Sequence, residues 1–206
     1  MAKIKYTKNE LKAQNEALRR FLRFLPMLQL KKQQLQSEIQ MIDSRIDEKQ
    51  AAFDSTMTGL KQWVSLFSEP VPEALMVTLD RIESESGNIA GVNIPLLKSI
   101  HLNRKTPDLF ESPAWLDDAQ EVMDALIRLR ADVVILDEQR RLISEELRTT
   151  AQRVNLFEKV KIPECRENIR IIKIYLGDEQ TAAVARGKMA KRRAEKTAQE
   201  SIPEAL

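Results

Sequence analysis

The residues of this chain whose types could do chemistry are few and scattered. His101 is the single histidine and Cys165 the single cysteine. Paired histidine ligands are therefore excluded, as is a Cys–His dyad beside a histidine-rich site. Cys165 reads as a small apolar side chain, and His101 as a structural residue. Carboxylates are plentiful, but they fall on helix faces, where solvated surface is the default. Five glycines lie too far apart to form a phosphate-cradling loop. Nothing activates a nucleophile or a water, so no catalytic residue, cofactor site or metal site is expected. One charge run stands out, Arg186, Lys188, Lys191, Arg192, Arg193 and Lys196. No aromatic residue interleaves it, and the net charge of the whole chain is only +2. Both argue against nucleic acid, leaving a solvated face or a segment that docks into an acidic protein sleeve.

The elements that must carry these residues are long helices. From Leu11, alternating steps of three and four residues trace an apolar ladder through Leu18, Phe21, Leu25, Leu28, Leu35, Ile39, Ile42, Ile46, Phe53, Leu60 and Trp63 to Phe67. Only Gln14, Lys32, Lys49 and Thr56 interrupt it. A 3.5-residue repeat held over about eight heptads is a coiled-coil seam, about 85 Å long as one helix. Thr7 and Glu10 have capping-box spacing at its start. Pro26 lies inside it without disturbing the frame, which predicts a kink rather than a break. A second ladder in the same rhythm runs Ala119, Val122, Leu126, Leu129, Val133, Leu136, Ile143, Leu147, Val154, Phe157, with Arg140 and Thr150 as its polar rungs. Ser112-Pro113 signals its start. Pro163 interrupts it, and Ile169, Ile172 and Leu176 resume the stripe. Lys32, Lys49 and Arg140 on the seam either reach water along their stems, or mark a place where the seam opens or a third chain supplies partners.

Between the ladders the texture changes. Five of the eight prolines fall between Ser68 and Pro113, with Gly87 and Gly91. Pro70 and Pro72 should stop the first helix. Met76–Glu85 and Val92–Leu102 read as two extended arms about a turn at Ser86-Gly87-Asn88; Leu75, Leu79 and Ile82 would also suit one short helix. The expected fold is mostly α, a long antiparallel two-helix coiled coil with a small central head containing a β-hairpin. Its segments are an N-terminal coiled-coil helix at 7–68, the head at 69–112, a C-terminal coiled-coil helix at 113–198 and a tail at 199–206. If Phe67 lies level with Trp115, Pro26 faces the neighbourhood of residue 156 and Pro163 that of residue 19, so the two prolines should share one bend. No apolar run reaches the roughly 18 residues of a membrane span. Met1 to Lys5 lacks the apolar core of a signal peptide, and a single cysteine suits a reducing compartment. A soluble, intracellular protein is expected.

Particular words in the sequence go beyond periodicity. Gln152-Arg153-Val154-Asn155-Leu156-Phe157-Glu158, followed by Ile162-Pro163, resembles a signature of the D subunit of V-type rotary ATPases. Asn88-Ile89-Ala90-Gly91-Val92-Asn93-Ile94-Pro95 is similar to that family's central loop, and Leu25-Pro26-Met27-Leu28-Gln29-Leu30-Lys31-Lys32 to its N-terminal helix. Leu176 to Gln180 and Ala185 to Lys188 are similar to bacterial members. Arg153, Val154, Asn155, Glu158, Pro163, Asn88, Ile89, Gly91 and Pro95 carry the motifs. The resemblance implies a non-catalytic central-stalk rotor shaft, cytoplasmic and peripheral to the membrane, that couples ATP hydrolysis or synthesis to ion transport such as proton transport. It implies as partners the catalytic A and non-catalytic B subunits, the F subunit, and the C (d) subunit that leads to the membrane ring, with no nucleic acid and no direct membrane insertion. Carried over, Leu18, Arg19, Phe21, Ile169, Ile172, Arg186, Lys188, Lys191 and Arg192 would contact the A/B hexamer. The C-terminus is shorter than in vacuolar members. Without these motifs the ladders alone would describe a generic antiparallel coiled-coil adaptor.

Overall fold

The computed structural model describes residues 5–69, 71, 75–106, 108 and 112–200, with side chains as far as 197. Pro70, Pro72 and the end of the tail lie outside the described residues. The chain is mostly helical: α1 (Lys8–Leu60), β1 (Thr78–Ile89), β2 (Val92–Asn103), α2 (Leu116–Leu156), a π turn (Phe157–Lys161) and α3 (Ile162–Glu200). By internal contacts it divides into a unit of residues 30–151 and a terminal unit of 1–29 with 152–206.

In the 30–151 unit α1 and α2 pack antiparallel in the expected register. Lys49 meets Asp132 at 2.8 Å, Asp43 meets Arg140 at 3.4 Å, and the rings of Phe67 and Trp115 lie 5.2 Å apart. The α-helix itself stops earlier than its ladder. It was expected to reach Phe67, but it ends at Leu60, and a 3-10 turn carries Val64–Ser68. The sequence holds the reason. Gly59 costs about 1 kcal/mol in a helix, and the hydroxyls of Thr56 and Thr58 donate to the carbonyls of Ala52 and Asp54, a bond that loosens the turn. The last rungs still find their partner, because Trp63 stacks on Phe67, which packs on Trp115.

The central segment is a hairpin, and its turn is not where Ser86-Gly87-Asn88 suggested. Those three residues lie within β1, opposite Pro95, Ile94 and Asn93. The chain reverses at Ala90-Gly91, whose φ values of 51° and 83° are those of a type I′ turn. Asn88 makes this turn: its Oδ1 accepts the Gly91 N–H at 3.1 Å, and its Nδ2 donates to Asn93 at 2.9 Å. Gly87 serves a different need. A Cβ there would stand 2.6 Å from Leu96 Cδ1. The short-helix alternative is gone, since Leu79 pairs with Leu102 and Ile82 with Ile100. The poor alternation of the arms has a cause in two register shifts, between Leu79 and Arg81 and between Glu83 and Ser84.

The hairpin lies along the helices. Ile94 of β2 joins Leu35, Ile42 and Ile143 in one buried cluster, flanked by Ile89, Ala90 and Val92 from the turn. Two buried glutamines of α2 tie it down. Gln139 Nε2 donates to the Pro95 carbonyl, and Gln120 Nε2 donates to the carbonyls of Leu75 and Lys105, just outside the two strands. Arg104 Nε closes this clasp on Gln120 Oε1.

In the terminal unit, Thr7 Oγ1 accepts the Glu10 N–H and caps α1. The first half of α1 packs on the π turn and α3. Tyr6 stacks on Tyr175, and Phe21 tilts against Phe157, at centroid distances of 5.0 and 4.9 Å. Val154, Ile162, Cys165, Ile169 and Ile172 are buried between the helices. α1 runs through Pro26 without a break in the helix. The interruption attributed to Pro163 takes the form of the π turn that precedes it, where the Ile162 N–H donates to the Phe157 carbonyl. Past Tyr175 there is no α1 residue left to pair with α3, and 177–197 are exposed throughout.

Candidate functional site

Surfaces, not a pocket, carry the candidate residues. Arg186, Lys188, Lys191 and Arg192 all lie on the unaccompanied part of α3 and are exposed; Lys191 has Glu195 at 3.8 Å one turn on. A lone helix keeps its form there by local means, as isolated helices of this length can. Its apolar residues, Val184 and Met189, are 60% and 55% exposed. Arg19 is exposed, and Leu18 and Phe21 are half-buried. Ile169 and Ile172 do not belong with them. At 8% and 0% exposure they fill the seam against α1, so they cannot offer their side chains to a surrounding partner. The apolar residues available in this unit are others, off the ladder: Leu22, Phe24, Met27, Leu156, Val160 and Ile174 are all exposed. Their signal was in the sequence as apolar residues that the 3.5 repeat does not use.

The motif residues divide into two places. Asn88, Ile89, Gly91 and Pro95 build the hairpin turn and seat it: Pro95 through Gln139, Ile89 against the buried cluster. Beside Gly91 lies Lys31, whose Nζ would stand 3.9 Å from a Cβ added there. Lys31 in turn donates to Glu146 across the helix pair at 2.6 Å. Arg153, Val154, Asn155, Glu158 and Pro163 flank or form the π turn. Val154 is buried and Arg153, Asn155 and Glu158 are exposed, whereas Pro163 is placed at the first turn of α3. Gln120, Gln139, Lys31 and Glu146 were missed from sequence, since a glutamine or a charge on a helix says nothing by itself about what lies opposite.

Two of the three charged rungs are paired within the chain, Lys49 with Asp132 and Arg140 with Asp43 and Asp137, so neither an open seam nor a third chain is required by these two. A hydrogen bond from Lys49 to Asp132, then the carboxylate's charge, holds the ammonium above its usual range. On the surface, Arg141 and Arg170 hold the carboxyls of Glu138 and Glu167 below theirs through side-chain hydrogen bonds. Burial pushes the Cys165 thiol up, which disfavours the reactive thiolate.

One cluster superficially matches a nucleophile and base. Ser99 Oγ lies 3.1 Å from His101 Nε2, with Glu83 nearby. Glu83, however, accepts the Ser99 hydroxyl itself at 3.0 Å and faces the same ring nitrogen at 3.5 Å. A relay needs the carboxylate on the other nitrogen, orienting the ring, so this arrangement ties the strands together and does not prepare proton abstraction. Among the described residues no group of three or more His, Cys, Asp or Glu side chains is placed to hold a metal ion. No described helix is long and apolar enough to cross a membrane.

Comparison with known proteins bears on these surfaces. The sequence pattern of the ATP synthase D-subunit family matches residues 10–192. The V-type ATP synthase D subunit of Borreliella burgdorferi is 46% identical over 191 residues, 93% of this chain and 95% of that protein. Those of Chlamydia muridarum and Chlamydia abortus are 34% and 31% identical, over 93% and 97% of this chain and 96% and 98% of theirs.

Proposed function

The chain belongs to the ATP synthase D-subunit family, and from that premise we propose how its two units divide the work of a rotor shaft. As a member of that family it is the central-stalk component that couples the catalytic head to the membrane rotor, and it is not itself catalytic. The terminal unit enters the hexamer of alternating A and B subunits. The hairpin-bearing unit, 30–151, meets the F subunit and, through it or beside it, the C (d) subunit on the way to the membrane ring. The assembly is cytoplasmic and peripheral to the membrane.

The observation that carries this reading is the lone stretch of α3. Residues 177–197 are exposed among the described residues and carry the basic run from Arg186. A helix with exposed Val184 and Met189 alongside six cations suits an enclosing sleeve with apolar and acidic walls. The shaft acts without a catalytic group. Its two helices differ in sequence, so each A–B pair meets a different face, and differential contact biases that pair between open and closed states.

Native mass spectrometry of the tagged chain from its own cells tests the reading. One copy with three A, three B and a small F-like subunit is the expected result; two or more copies without a hexamer return the chain to a self-associating adaptor. A Lys188→Cys variant should cross-link to A or B, and a cross-link to the C (d) subunit instead would reverse the proposed orientation.

A further inference from the structure

The seam of the terminal unit contains one step that does not fit it. From Val154 the inward residues are Phe157, Ile162, Cys165, Ile169 and Ile172. Every step is three or four except Phe157 to Ile162, which is five. In an unbroken α-helix one extra residue rotates everything beyond it by about 100°. Ile162, Cys165, Ile169 and Ile172 would then leave the face packed on α1. The π turn Phe157–Lys161 absorbs this residue in its wider i→i+5 ring, and the seam resumes in phase on the far side.

The backbone is weakest at the same level. Pro163 has no N–H to give to the carbonyls of Lys159 or Glu158. On the other helix Pro26 has none for Leu22, and Leu22 is next to Phe21, whose ring lies 4.9 Å from Phe157. Glu158, Lys159 and Val160 are exposed, so water can compete for the backbone bonds of this turn. An i→i+5 turn can also move by a residue along the helix, exchanging one bond for another of the same kind, which a regular helix cannot do.

We propose that this π turn is a compliant joint, at which the paired helices yield to twist while the seam on both sides stays engaged. Its mechanical role rests on the rotor-shaft reading; its softness does not. It also gives the Arg153–Pro163 motif a physical task that contact with partners alone would not require.

The test removes the extra residue. Deleting Val160 together with Pro163→Ala restores a step of four and an unbroken helix. In the full chain we expect helix content and thermal midpoint to be kept or raised, and amide exchange over 157–163 to slow by about tenfold or more. Pro163→Ala alone retains the extra residue and should leave exchange there fast. Loss of fold on deletion, unchanged exchange, or equal slowing by Pro163→Ala alone each overturns the proposal. In the assembled complex, angular fluctuation of a probe on the shaft should narrow in the deletion variant. An unchanged spread would refute the mechanical role. Failure of the wild-type chain to assemble with a hexamer would instead refute the rotor reading and leave the exchange result standing.

Discussion

Single side chains decide how the hairpin is held. Gln139 is 5% exposed and donates to the carbonyl of Pro95 in β2. Removing only one member of a buried pair leaves the other unsatisfied, which costs about 1–3 kcal/mol. Gln139→Leu should therefore lower the free energy of unfolding in urea by an amount in that range, despite adding apolar surface to the interior. The interhelical ion pairs contribute less. Lys49 and Asp132 remain 41% and 26% exposed, where solvent screens most of the attraction. Their service is to register, since a one-rung slip would part Lys49 from Asp132 and leave it facing Leu129 or Leu136. Ala90 shows a different kind of constraint: a non-glycine at φ 51° is tolerated because Asn88 and the neighbouring Gly91 fix the turn around it.

The hairpin as an element owes its stability to the helices beneath it. Two strands alone are marginal in water, and most of β1 is exposed. One residue dominates its attachment, Ile94, 2% exposed in a cluster that otherwise belongs to α1 and α2. Ile94→Ala should cost about 2–5 kcal/mol, read as loss of amide protection across β1 and β2 while the helical circular dichroism signal persists. Equal loss in strands and helices would mean that the hairpin is part of one cooperative unit with the coil. The long ladders and the Thr7 hydroxyl cap were readable because each is a periodic or local pattern. The turn was misplaced because Ser86-Gly87-Asn88 and Ala90-Gly91 look alike locally, and the choice between them is made by Leu96 and Asn93, across the sheet. The π turn was likewise hidden. A proline at 163 announces an interruption but does not say that a residue must be absorbed; the five-residue step between Phe157 and Ile162 says it, once both are known to face inward.

At the scale of the whole molecule, the fold buries its seam residues and leaves off-ladder apolar positions exposed. That is why Ile169 and Ile172, the most regular apolar signals near the C-terminus, proved to be interior, while the less periodic Leu22, Phe24 and Met27 lie open. The lone part of α3 is the clearest case of structure with no internal purpose. Truncation before Arg186 should change the unfolding free energy by no more than about 0.5 kcal/mol, as expected where no packing is lost, yet uncouple ATP turnover from ion transport in the assembled complex. Intact coupling would remove the basic run from the hexamer interface. The antiparallel register also sets an order for synthesis. Tyr6, among the first described residues to leave the ribosome, packs on Tyr175, and Phe67 on Trp115. The nascent chain must therefore carry the apolar stripe of α1 uncovered until α2 emerges, and its beginning stays bare longest. Helices can close from the hairpin side toward the termini, so the last contacts to form lie beside Tyr6, and it is there that a holding chaperone has the most time to act.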